Sequence, residues 1–138
     1  NMFTSAGLLL SGANKAWTSQ ILLDDNSEDG ILTPDEVETL SFPNLNLVIL
    51  SACETGLGNI DVDGVWGMQR SFRIAGAENL IVSLSKINDA ITANFMADFY
   101  SNIACQRSIH DSFYLAQKKM AQKYSDDADI YSAFILVE

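Results

Sequence analysis

The sequence predicts an α/β fold built on a mostly parallel sheet. Two continuous apolar runs, "LNLVILSA" at 45–52 and "NLIVSL" at 79–84, do not alternate with polar residues, which is the pattern of strands covered on both faces. Between them Val65, Met68, Phe72 and Ala75 recur at helical spacing. Two further helical stretches and a closing apolar run, "AFILV" at 133–137, follow the second strand. Strand, helix, strand, two helices, strand is an α/β order.

Each element has its own local reason. Residues 7–12 (GLLLSG) and 20–23 (QILL) read as two short strands, with "ANKAWT" as the hairpin connection. "DDNSEDG" at 24–30 is a polar loop. Thr33 is a cap residue, Pro34 suits the first helical position, and Thr33 with Glu36 fits a capping box, so a short helix is expected over 34–40. Gly76 should end the helix that carries Val65 to Ala75. Ile91, Phe95, Phe99 and Ile103 mark one face of a long helix capped by Asn88 or Asp89. Ser108 with Asp111 caps the next, which turns Ile109, Phe113, Ala116 and Met120 inward. Cys105, on the apolar side of the long helix, reads as a core residue.

A chain of 138 residues is about one domain and can bury a core. Hydrophobic residues at 48% and charged residues at 19% place it outside the disordered class. A formal net charge of −10 argues against nucleic acid or an anionic membrane surface as partner, since phosphates would be repelled, and permits a basic peptide. No stretch approaches the roughly 20 apolar residues of a membrane span, and no signal peptide is visible. Two cysteines do not make a disulfide framework, so a reducing, cytoplasmic setting is expected. The chain opens "NMFTSAGLLL", without methionine at position 1, and a further upstream segment stays open. No repeat or low-complexity segment is present.

Ligands of open α/β sheets bind beyond the carboxyl ends of the strands. Cys53 stands at such an end, where the apolar run breaks into "CETGLG". A thiol acts as a nucleophile only as thiolate, from a free pKa near about 8.5, and a strand end gives it access to substrate. Gly56 and Gly58 let the following backbone bring N–H groups close to a substrate carbonyl, where they would stabilise an oxyanion. Equally, Cys53 is a small residue that could end a strand without any chemistry.

"LVILSACETGLG", "GVWGMQRSFRIAGAENLIVSLSKIND", "AQKKM" and "AFILV", with "SAGLLLSGANKAW" and "EDGILTPDEVETL" near the start, together resemble the caspase-like cysteine peptidases of the CHAT family. The S-A-C-E-T-G turn is the most specific part, and caspases carry a related Q-A-C-x-G turn. The resemblance covers nearly the whole chain and implies a caspase-like sheet flanked by helices. It implies peptide-bond hydrolysis through a thioacyl intermediate, with Cys53 as nucleophile and its own N–H in the oxyanion hole. Its implied partners are a protein or peptide substrate and an upstream region of helical repeats. No cofactor is implied.

Such a peptidase needs a histidine to take the thiol proton and return it to the leaving amine. In caspases it lies about 50 residues before the cysteine. No histidine precedes Cys53 here. The resembled family places it in an H-G turn just upstream of the region where this sequence opens. Residues 1–138 are therefore expected to be the carboxyl-terminal part of the domain, without its first strands and inactive alone, with a sheet edge open where an upstream strand would pair. His110 is the only histidine. It lies off the Ile109–Phe113 face and after Cys53, so a surface position is expected.

The family's S-L-W-x-V-x-D pattern aligns Asp89 with an acidic position of the substrate pocket. A carboxylate there would favour arginine or lysine before the cut through a charge-assisted hydrogen bond. Asp89 also suits a helix cap. Ser85 stands where the family commonly has tryptophan, so the pocket wall differs. Two other readings stay open. "DNSEDGILTPDE" has calcium-loop spacing, with Asp25, Ser27, Asp29 and Glu36 as ligands, Gly30 at the turn and Leu32 as the apolar plug; against it, "TSQILLD" reads as a strand and not as the entering helix. The other is a caspase-like scaffold with no chemistry.

Overall fold

The computed structural model describes residues 7–11, 13, 29–51, 62–84 and 87–138, with backbone alone at 62–66. The chain is mixed α/β and divides into two compact units, Asn1–Leu45 with Asn59–Ala77 and Asn46–Gly58 with Glu78–Glu138.

In the first unit, β1 (Leu8–Leu9) runs antiparallel to β2 (Ile31–Leu32), with Leu8 opposite Leu32 and Leu9 opposite Ile31. The "GLLLSG" strand thus pairs with Ile31–Leu32, which the sequence did not indicate; residues 20–23, its expected hairpin partner, lie outside the described residues. Two residues are too short for a periodicity to announce. What sets them up is Gly30, whose φ of 74° turns the chain into β2, while its carbonyl accepts from the Leu10 N–H at 2.7 Å.

Helix α1 (Pro34–Thr39) starts as its sequence indicates. Thr33 Oγ1 accepts from the Glu36 N–H, and Glu36 Oε2 accepts from the Thr33 N–H at 2.8 Å, completing the capping box. Val37 is fully buried. Helix α2 (Val62–Ala75) packs on α1, burying Met68, Phe72 and Ala75. Ser71 Oγ bridges the two helices, donating within reach of Glu38 Oε1 (3.2 Å) and its own helix's Gly67 carbonyl (3.0 Å). At the end of α2, the Ala77 N–H reaches the Phe72 carbonyl and the Gly76 N–H reaches that of Arg73, the paired bonds of a Schellman motif. Gly76 takes φ 113° there.

The second unit holds a three-stranded sheet in the order β3 (Val48–Leu50), β4 (Leu80–Ser83), β5 (Phe134–Val137). The pair β3–β4 is parallel and β4–β5 is antiparallel. Among the described residues the expected parallel order therefore holds for β3–β4 alone. The cause is the connection. Helix α3 (Asp89–Ala104) carries the chain away from the end of β4, and α4 (Ile109–Lys123) carries it back. Two crossings return the chain to the edge it left, and β5 must then run the opposite way. The short α5 (Ala128–Tyr131), begun by Asp127 accepting from the Ile130 N–H, leads into it.

Every residue of β4 is buried, as its continuous apolar run requires, whereas Val48 to Leu50 are half-buried at the edge of the described sheet. The helices cover the sheet through Phe95, Phe99, Phe113, Ala116 and Met120, which join Ile81 and Phe134 in one core. Phe95 stacks on Phe134 (4.5 Å, 8° between planes) and meets Phe113 edge-on (5.6 Å). The helical faces read from the sequence are those that are buried.

Candidate active site

Parallel pairing decides where a site can form in the second unit. Leu50 lies opposite Val82, so β3 and β4 both release the chain at one edge of the sheet. Ser51, the first residue beyond β3, is exposed. Beyond β4, the Leu84 N–H still bonds the Ala133 carbonyl at 2.7 Å, while its side chain is exposed. Helix α3 begins a few residues later, and its positive N-terminal end therefore belongs to this same carboxyl edge.

Asn88 caps that helix: its Oδ1 accepts from the Ala90 N–H at 2.8 Å. Asp89 is then the first helical residue and is exposed. Its carboxylate is not needed as the cap. A negative charge in the first turn is favoured by the helix dipole all the same.

Cys53, the expected nucleophile, lies outside the described residues, as do Asp25 and Ser27 of the calcium-loop pattern. The other two residues of that pattern have local work. Asp29 Oδ1 accepts from the Ile31 N–H at 2.8 Å. Glu36 Oε2 serves the capping box and also accepts from Thr33 Oγ1 at 2.8 Å. Among the described residues, no three His, Cys, Asp or Glu side chains converge as metal ligands.

His110 is on the surface, as its sequence position indicates; its nearest charged partner is Asp111, 3.8 Å from Nδ1. It stands in the first turn of α4. The 16 residues of α3 span roughly 24 Å, which separates His110 from the carboxyl edge where α3 begins. Cys105 corrects the sequence reading. It is the C-cap of α3 and is exposed, because the helix ends at Ala104 and the apolar stripe stops with it. Gln106, at φ 60°, then turns the chain away.

The family model described as the CHAT domain matches residues 2–137. The chain belongs to the CHAT domain family. The match takes in both units of this CHAT domain and the segment from β3 through α2 to β4. The family is related to the caspase-like peptidases, which is the coarse functional statement that membership brings. No curated protein matches the chain. Sequence reasoning missed β2 and α5. The second had a signal in Asp127, a good N-cap residue, but one turn is too short to show a periodicity.

Proposed function

We propose that this CHAT domain is the carboxyl-terminal part of a caspase-like cysteine endopeptidase with Cys53 as nucleophile. The observation that carries the reading is that the S-A-C-E-T-G sequence starts at Ser51, the exposed residue leaving β3 at the carboxyl edge of a parallel pair. Two residues of chain span at most roughly 7 Å, so covalent geometry alone keeps Cys53 within that reach of Ser51. The same edge carries the start of α3 and hence Asp89.

In this reading the Cys53 thiolate attacks the scissile carbonyl carbon and pushes its π electrons onto oxygen. The Cys53 N–H donates to the resulting oxyanion. Collapse of the tetrahedral species breaks the C–N bond, and an imidazolium gives its proton to the departing amine. Water then adds to the thioester, deprotonated by the same imidazole, and releases the acid product and the thiol. His110 is a poor source of that imidazole, being at the far end of α3. The base would then come from a part of the domain upstream of Asn1, whose strands would extend a caspase-like sheet beside β3.

Asp89 is the residue proposed to select arginine or lysine before the cut. Two features support this: the carboxylate is exposed at the edge in question, and Asn88 relieves it of the capping role. The experiment is a side-by-side assay of this chain and of a polypeptide extended upstream, each with Cys53 intact or replaced by Ala. Proteolysis is expected from the extended, unsubstituted protein only. Equal proteolysis by the extended protein and its Cys53→Ala variant would overturn Cys53 as nucleophile, and no proteolysis by either would overturn the proposal in favour of a scaffold.

A further inference from the structure

We draw no further inference here: the strongest candidate, the outer edge of β5 (Phe134–Val137), an apolar strand that pairs on one side only among the described residues, carries nothing because no observation in the structure shows what covers it.

Discussion

Ile49 lies directly opposite Ile81 in a parallel ladder. That pairing makes one edge of the sheet the exit of two strands and the entrance of α3. It brings Ser51 and the residue at the first position of α3 to the same side of the unit.

Asn88 and Asp89 separate two roles that the sequence leaves superimposed. Asn88→Ala removes the acceptor for the Ala90 N–H and is expected to cost about 1 kcal/mol. It should leave peptide preference unchanged. Asp89→Ala should change stability by no more than about 0.5 kcal/mol. In the extended, active protein it should lower kcat/KM for basic residues before the cut by about 10- to 100-fold, the worth of a charge-assisted hydrogen bond. Urea denaturation reads the first effect and a peptide library the second. An unaltered library profile for Asp89→Ala would remove this residue from the pocket.

The α1 cap ties Glu36 to Thr33 by two hydrogen bonds onto Oε2. Thr33→Ala is expected to cost about 1 kcal/mol. A carboxylate so engaged is poorly placed for a calcium ion, so calorimetric titration should give no saturable heat up to about 1 mM calcium, the weak end of such sites. A saturable isotherm below that concentration would restore the calcium loop.

The two longest-range consequences of helix ending are opposite in sign. A Cβ at Gly76 would stand 2.7 Å from the Phe42 carbonyl oxygen, at φ 113°, so Gly76→Ala should destabilise by more than about 1 kcal/mol. Gln106 occupies the equivalent position after α3 at φ 60°, with the Gln106 and Arg107 N–H groups bonded to the Ile103 and Asn102 carbonyls. Gln106→Gly should therefore raise stability by about 0.5–1 kcal/mol, the left-handed penalty less the entropy of glycine. Thermal denaturation of both variants checks the pair.

Phe95 is the hub of the second unit's core, 2% exposed and stacked on Phe134. Phe95→Ala should cost about 3–5 kcal/mol, from lost burial and the cavity left behind. A cost below about 1 kcal/mol in denaturant melts would mean that this stack is not formed in solution.

What the sequence made legible was whatever repeats or caps. The stripe Ile91, Phe95, Phe99, Ile103 and the caps Thr33, Asn88 and Ser108 each announce a helix, because periodicity and end chemistry are local properties. The buried run at β4 did likewise. The parallel direction of β3 and β4 was legible from their continuous apolar runs; that of β5 was not, since it depends on the two helices that cross before it, and β5 runs antiparallel. Nor was the β1–β2 pairing, which joins two dipeptides across about twenty residues of chain and leaves no pattern in either. At the site, the strand end marked Cys53 as a candidate nucleophile beside a reading without chemistry, and helix-end chemistry marked Asp89 as a cap; the pocket role of Asp89 came from resemblance alone. Cys105 was misread because a helix face was extended one residue past its end.

The decisive measurement is covalent capture. A peptidyl electrophile with arginine next to its reactive carbonyl is mixed with the upstream-extended protein, and the modified cysteine is located by peptide mass spectrometry. The exposed Cys105 serves as internal reference for ordinary thiol reactivity. The expected result is stoichiometric adduct on Cys53, at least about 100-fold faster than on Cys105, and abolished in Cys53→Ala. Equal labelling of the two cysteines, or adduct on Cys105 alone, would contradict the assignment of Cys53 as nucleophile.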